Sequence, residues 1–573
     1  MRHLCVLILF LLPVGNHLTA YDLNLSGDPI ISSAEFREVL GQISKQDSEE
    51  EFIGRAIQIL NRLAEEQGYF DALIGINLVG DSIVNIDINA GSLYRLNRLV
   101  FSARGDLPEG LERSIANEYH NKPATREIIQ SILTRAVDLY TDNGYPFAQS
   151  KLLAFERQES ARMNLVIELV SGPYITVDSL QFTSERRISN SFLIRRSGWS
   201  RGDGFSQTNL DNSIVSLNSL GYLKVTQPPE EKYYNNYRSC LLIYNLESQA
   251  SNRLEGALGY NPGTENRDGF LFGFLDLDFC NPLGDGKSFF IEWNKPNASG
   301  SRLGLRFDYP YPFGSGLETS FQVSQERFGD YYLSLTAGVN LYQNLDINNR
   351  LELGLKWTKI TAEGNLFRSI YNSRIYEASL GIRLSDFRND SRDISGREFK
   401  ARLVYLHKRL YPTLGRRPDD NSYDPVKAEL SFRLGLPLGR IFYADLKAQF
   451  EGFSEDEALI SPAEMIRLGG RRTLRGYSEE QFLTPRAVWS NCEFGVYSHG
   501  LFKSYLFADL GYARLSDIFA DDNIPTYENR FLFGAGFGLK LFSGQTGLDL
   551  NIGWSRTDKP AEGKLYLIVE NRF

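Results

Sequence analysis

Beyond its first twenty residues this chain of 573 residues has no run of eighteen apolar residues, which excludes membrane-spanning helices. Cysteine is scarce: four in all, with Cys5 near the start and Cys240, Cys280 and Cys492 far apart. Cys5 falls in an expected secretory signal, and the three left after its removal, odd in number and far apart, are no disulfide framework; they are read as small apolar residues, buried or lipid-facing. Histidine is scarcer in effect, because His120, His407 and His499 stand isolated and offer no metal-ligand spacing. A basic surplus is missing too. Lys and Arg total 62 against 71 Asp and Glu, a formal charge of -9, which speaks against a nucleic-acid binder. There is no Gly-x-Ser-x-Gly elbow and no nucleophile set beside a base. Gly534-x-Gly536-x-Gly538 alternates with aromatics and opens no helix, so it is not a nucleotide loop. No enzyme, no cofactor and no metal are expected, and no nucleic acid among the partners.

What is present begins with a secretory signal expected over residues 1–20. Arg2 and His3 form a basic start, Cys5 to Leu12 an apolar run, and Leu18-Thr19-Ala20 a small-residue cleavage site. Removing it takes away Arg2 and leaves a formal charge of -9 − 1 = -10. The remaining length exceeds what one core usually encloses, so several domains are expected.

A Gly-Tyr pair recurs at Gly68-Tyr69, Gly144-Tyr145 and Gly221-Tyr222, spaced by 144 − 68 = 76 and 221 − 144 = 77 residues. Each pair follows a helical pattern and precedes strand patterns. In the first unit Phe36, Val39, Leu40 and Ile43 mark one buried helical face, and Phe52, Ala56, Ile59, Leu60 and Leu63 a second. Gly68 is suited to end that second helix in the left-handed conformation. Ile129, Leu133, Ala136, Val137 and Tyr140 repeat the pattern in the second unit, and Leu210, Ile214, Leu217 and Leu220 in the third. The order is β-α-α-β-β three times, over residues 21–93, 94–173 and 174–248. Small mixed modules expose sheet edges to which an extended peptide could add, or they serve as rigid spacers. Sequence leaves both readings open.

Residues 249–573 break into about sixteen alternating segments of nine to fourteen residues, the signature of a transmembrane β-barrel. In Arg302 to Tyr309 and in Arg350 to Thr358, leucine and aromatic residues take one side and polar residues the other. Short turns are expected at Asn281 to Gly284, Pro310 to Gly314 and Gly435 to Leu438, and longer loops at 361–372, 411–423 and 514–528. An even strand number places both barrel ends on the side of the repeats. The last strand, Gly563 to Phe573, would turn Leu565, Leu567, Val569 and Phe573 to lipid. The fold class is therefore α+β repeats followed by a 16-stranded antiparallel barrel.

The longest break between strand patterns is RLGGRRTLRGYSEEQF, Arg467 to Phe482. If it folds into the bore, period-two counting on the neighbouring segments selects what it meets. Asn491 and Glu493 face in from Val488 to Tyr497, and Asp509 faces in from Tyr505 to Tyr512. Gly534, Gly536 and Gly538 leave room on the next strand. Arg475 is expected to pair with Asp509, and secondly with Glu493, because a guanidinium holds a carboxylate by two parallel hydrogen bonds. Gly476 permits a tight backbone and Tyr477 packs on the wall.

The residues RLGGRRTLRGY, then Phe507-Ala508-Asp509-Leu510-Gly511, then Asn571-Arg572-Phe573 resemble the BamA/TamA family. Its members are outer-membrane barrels with periplasmic POTRA repeats that insert other barrels or translocate polypeptides. The resemblance implies three POTRA modules, an outer-membrane location with the repeats in the periplasm, and an arrangement nearer TamA than BamA, which usually has more repeats. It implies that the Arg475-Gly476-Tyr477 tip contacts the wall at Asp509; Glu493 rests on counting. Phe573 resembles the terminal aromatic that assembly machinery reads on barrels, while Asn571 departs from the apolar residue usual there. The implied activity is insertion of unfolded outer-membrane proteins through a seam between the first strand, near Asn252 to Tyr260, and the last. Gly256 and Gly259 would weaken that edge, with Asn571 opposite. The implied partners are those clients, outer-membrane lipid, and an accessory protein of the periplasm or inner membrane. A polypeptide pore of the two-partner secretion type and a passive pore are the alternatives.

Overall fold

In the computed structural model the described residues are 22–30, 49–79, 83–104, 110–261, 270–297, 300–346, 348–363, 370–387, 394–413, 417–418, 421–454, 460–498, 501–517 and 526–573. The expected signal over 1–20, the helical face from Phe36 to Ile43 and His499 lie outside them. Two compact units divide the chain. The first comprises the two leading modules with residues 174–179, 200–211 and 231–242. The second holds the rest of the third module and the barrel.

In the first module strands Asp22–Gly27, Leu73–Val79 and Ile83–Asn89 form one sheet with the last strand central. Helix Glu49–Glu66 packs on it. Its buried face is Phe52, Ala56, Leu60 and Ala64, the i, i+4 row that the spacing requires. Val84, Ile86 and Ile88 meet that face from the alternate positions of the central strand. The second module runs Arg95–Arg104, helices Leu111–Tyr119 and Arg126–Thr141, then Gln149–Gln158 and Arg162–Val170. Its core is Ile115, Ile132, Ala136 and Tyr140 against Met163, Leu165, Ile167 and Leu169.

The third module has strand Thr176–Ser184, helices Asn190–Ser197 and Gln207–Asn218, and strand Ser239–Ser248. Two short strands, Leu223–Val225 and Glu230–Tyr234, lie between the second helix and the last strand. Its second helix buries Leu210, Ser213 and Leu217. Period counting omits Ser213 because it is polar, yet its hydroxyl is satisfied by the Tyr244 hydroxyl at 2.7 Å.

The three Gly-Tyr glycines are all left-handed, with φ of +93°, +97° and +74° at Gly68, Gly144 and Gly221. The first two also join modules. Gly68 accepts from the Tyr94 amide at 3.0 Å and Gly144 from the Ile175 amide at 2.8 Å, each donor opening the next module.

The barrel is closed and antiparallel with sixteen strands. In order they are Arg253–Asn261, Phe270–Cys280, Ser288–Lys295, Gly300–Pro310, Glu318–Phe328, Tyr332–Asn344, Arg350–Ala362 and Asn372–Ser385. There follow Gly396–Tyr411, Val426–Leu438, Phe442–Phe453, Arg486–Ser498, Phe502–Asp517, Thr526–Ser543, Thr546–Ser555 and Lys564–Arg572. Strand lengths run from 8 to 18 residues, wider than the alternation suggests, because pairing continues past the apolar band into polar residues. The turn expected at Gly435 to Leu438 is strand instead. Pro437 pairs with Tyr443, and the turn falls after Leu438, where Gly439 has φ +73°. Gly435 is extended, and a Cβ there would sit 2.6 Å from the Ile394 carbonyl oxygen.

Side chains alternate as a membrane barrel requires. Leu303, Leu305, Leu351, Leu353, Leu355, Leu403, Leu565 and Leu567 stand exposed outside, whereas Asp276, Arg475, Asp509 and Glu570 are buried inside. A continuous apolar exterior of this size is stable only against lipid.

Candidate functional site

Between the eleventh and twelfth strands, residues 460–485 enter the bore. Strands Ile466–Leu468 and Phe482–Thr484 pair to form its stem. At the turn Gly469 and Gly470 adopt φ of +109° and +93°, a conformation open to glycine at little cost. The Gly470 amide donates to the Leu474 carbonyl at 3.0 Å. The Gly469 amide donates to Thr473 Oγ1 at 2.8 Å, and Asn491 Nδ2 to the Thr473 carbonyl at 2.6 Å. Leu474 is fully buried among Leu468, Trp489, Ala513 and Leu532. It fits because Gly511 has no side chain; a Cβ there would be 2.8 Å from Leu474 Cδ1.

Arg475 is only 6% exposed and makes four hydrogen bonds. Its backbone amide and Nε donate to Asp509 Oδ2 at 2.8 and 2.9 Å, and Nη2 to Asp509 Oδ1 at 2.8 Å. Nη1 donates to Glu493 Oε1 at 2.6 Å. The guanidinium lies 3.8 Å from the centre of the Phe507 ring, a cation–π stack in a site shielded from water. Asp509 is 0% exposed, so without this cation its charge would be buried and uncompensated.

Gly476 has φ +94°, and a Cβ there would meet the Trp554 carbonyl at 2.7 Å. The tip is thus pressed against the fifteenth strand. Tyr477 packs edge-on against Phe482 at 5.2 Å, and its hydroxyl accepts from the Phe533 amide at 3.1 Å. The Tyr566 hydroxyl of the last strand donates to the Tyr477 carbonyl at 2.6 Å.

The three inward glycines divide their work. Gly534 alone receives the loop, since a Cβ there would lie 1.8 Å from the Arg475 carbonyl oxygen. Gly536 makes room for the Ile552 carbonyl and the Phe507 ring, and Gly538 for Asn551 and the Tyr505 ring. Gly553, which pairs with Gly536 on the next strand, serves the loop as Gly534 does, since a Cβ there would lie 2.8 Å from the Gly476 nitrogen.

Three more arginines of the loop reach other parts of the wall, and counting around the Arg-Gly-Tyr tip misses them. Arg467 Nη2 contacts Glu326 Oε1 at 2.5 Å and the Tyr332 hydroxyl at 2.7 Å, while Nη1 holds Glu480 at 3.0 Å. Arg471 Nη1 contacts Glu255 Oε1 at 3.0 Å and lies 3.5 Å over the Phe274 ring. Arg472 binds Asp276 Oδ2 at 2.7 Å and Glu292 Oε1 at 3.0 Å. The signal was available: Glu255, Asp276 and Glu292 occupy inward positions of three successive alternating strands. At the loop's base Lys408 pairs with Glu464, both almost fully buried.

The first and last strands share four residue pairs: Arg253 with Arg572, Leu254 with Asn571, Glu255 with Glu570, and Gly256 with Val569. The first strand shares nine with the second. Gly256 and Asn571 thus lie in this seam. Gly259 does not: it falls three residues beyond the ladder, and a Cβ there would strike the Phe272 ring at 2.4 Å. Asn571 Oδ1 accepts from Thr546 Oγ1 at 3.1 Å, so it is tied to the fifteenth strand. Phe573 donates its amide to the Asn252 carbonyl at 2.9 Å and leaves its ring half exposed. Among the described residues no group of acidic, histidine or cysteine side chains is placed to hold a metal ion.

No family model matches the chain, and no curated protein matches it. Solved structures do. CdiB from Escherichia coli aligns with a TM-score of 0.53 at 14% identity, covering 90% of this chain and 97% of that one. CdiB from Acinetobacter baumannii gives 0.53 and 14%, covering 84% and 90%. BamA from Haemophilus ducreyi lacking POTRA domains 1-3 gives 0.49 and 14%, covering 84% and 100%. At such identity the likeness to the two CdiB structures establishes a shared fold.

Proposed function

We propose that this chain, which has the fold of POTRA modules followed by a sixteen-stranded barrel, is an outer-membrane protein assembly factor of the BamA/TamA type. Its location is the outer membrane, with the modules in the periplasm. Its modules capture unfolded outer-membrane proteins, and the barrel helps to insert them at its seam. The observation that carries this reading is the seam itself. Among the described residues four pairs join the first strand to the last, against nine on the first strand's other edge. Opening so short a ladder exposes an unpaired strand edge, the template that an incoming hairpin needs. Folding of the client into lipid supplies the driving force, so no nucleotide takes part. An accessory protein of the periplasm or inner membrane would cooperate with the modules.

The second reading is a pore that conducts an unfolded polypeptide, favoured by the likeness to CdiB, a two-partner secretion transporter. A loop with four anchored arginines in the bore weighs against a pore that stands open. Depletion of the protein separates the readings. A several-fold loss of heat-modifiable, folded barrels from the outer membrane is expected. Unchanged barrels together with loss of one secreted polypeptide would overturn the assembly reading, and conductance of the loop-deleted barrel would report a conduit.

A further inference from the structure

The inward loop touches both sides of the seam. On one side Arg471 holds Glu255 of the first strand, and Arg472 holds Asp276 and Glu292 of the second and third. On the other, Arg475 holds the twelfth and thirteenth strands, and the Tyr477 carbonyl accepts from Tyr566 of the last. The seam ladder sets Glu255 directly opposite Glu570. Both face inward, and like charges directly opposed across a strand pair are destabilising. Glu570 is served by Lys540 and Arg572, each at 3.4 Å. Glu255 has Arg253 at 3.5 Å, which is 37% exposed, and Arg471 at 3.0 Å, which is 13% exposed. Arg471 is thus the closer and better-shielded cation.

We infer that the loop is a latch across the seam, with Arg471 as its bolt. While Arg471 sits on Glu255, the opposed carboxylates are tolerated and the short ladder closes. When the loop lifts, Glu255 and Glu570 repel, and the first strand leaves the last. The use of such an opening rests on the assembly reading, but the latch is a property of the barrel and is measured without a client.

Leu258 and Leu567 face outward on the two seam strands just beyond the ladder, and both accept spin labels once the three cysteines are changed to alanine. In lipid nanodiscs the parent barrel should give one short label separation. Arg471→Gln, alone or with Arg472→Gln, should add a population longer by at least one strand spacing, ~5 Å. Adding Glu570→Gln, whose ion pairs are with Lys540 and Arg572 of the wall, should restore the short separation, because it removes the repulsion and leaves the latch broken. A distance distribution unmoved by Arg471→Gln overturns the latch. A long population that Glu570→Gln fails to reduce overturns the charge mechanism. Heat-modifiability on gels verifies that each variant is a folded barrel, and Arg471→Met serves if the glutamine variant is not. Methionine removes the charge as glutamine does, so it should give the same long population, and none at all overturns the latch. A negative depletion experiment would leave these distances unaffected, so the two readings fail separately.

Discussion

Arg475→Lys keeps the charge of the loop tip and removes its geometry. The guanidinium spans both oxygens of Asp509 and reaches Glu493 as a third acceptor. A single ammonium can hold one of these carboxylates well, and it loses the flat stack on Phe507. Deleting the cation altogether would strand a fully buried Asp509, a change that costs about 3–5 kcal/mol. Lysine should cost less, about 2 kcal/mol, near the value of one charged hydrogen bond. Because unfolding of such barrels is commonly irreversible, the fitting assay is a rate: the loss of the compact band during heating in detergent. If the contact is absent from the unfolding transition state, 2 kcal/mol corresponds to about 30-fold faster loss. Asp509→Asn should exceed Glu493→Gln, since Asp509 accepts three bonds at zero exposure and Glu493 accepts one at its rim. Parental rates for both Arg475→Lys and Arg475→Ala would refute the contribution assigned to this contact.

Gly534→Ala should expel the loop tip without altering any charge, because its methyl group would overlap the Arg475 carbonyl; limited proteolysis within residues 471–481 should become faster than in the parent. Asp142 accepts from the Ser206 hydroxyl at 3.0 Å and from the Thr208 amide and hydroxyl at 2.8 and 2.7 Å, so one module caps the helix of the next. Asp142→Ala should lower the unfolding free energy of the isolated three-module fragment by about 1–2 kcal/mol and raise amide exchange at residues 206–210.

The strand alternation made the barrel legible, because a polar bore and a lipid exterior impose period two on every strand. The tip contact was legible for the same reason: once Asp509 and Glu493 face inward, an entering arginine has few other destinations. Three things were hidden. Strand ends continue past the apolar band, so the segment after Gly435 reads as a turn when it is strand. Ser213 sits in a core with its hydroxyl paired to the Tyr244 hydroxyl, which no hydropathy pattern records. The contacts of Arg471 and Arg472 depend on where the loop lies across a closed cylinder, and no local period carries that information. Gly259 erred in the same way, since its role depends on where the seam ladder stops.

The two arms of the loop differ in burial, and that sets the order in which they release. Arg475 is nearly sealed and pairs with a carboxylate of zero exposure, so breaking it leaves a buried charge. Arg472 is 52% exposed, so on release water solvates the cation and only Asp276, at 6%, stays buried, whereas both members of the Arg475–Asp509 pair are sealed. Arg471 lies between, at 13%. A force that widens the seam therefore frees the first three strands before the tip. The loop then rides with the twelfth to fifteenth strands, still held by Arg475 and by the glycine contacts at Gly534 and Gly553. Tip and bolt consequently separate in experiment: loss of the Arg475 contact weakens the barrel as a whole, whereas loss of the Arg471 contact moves one edge of it.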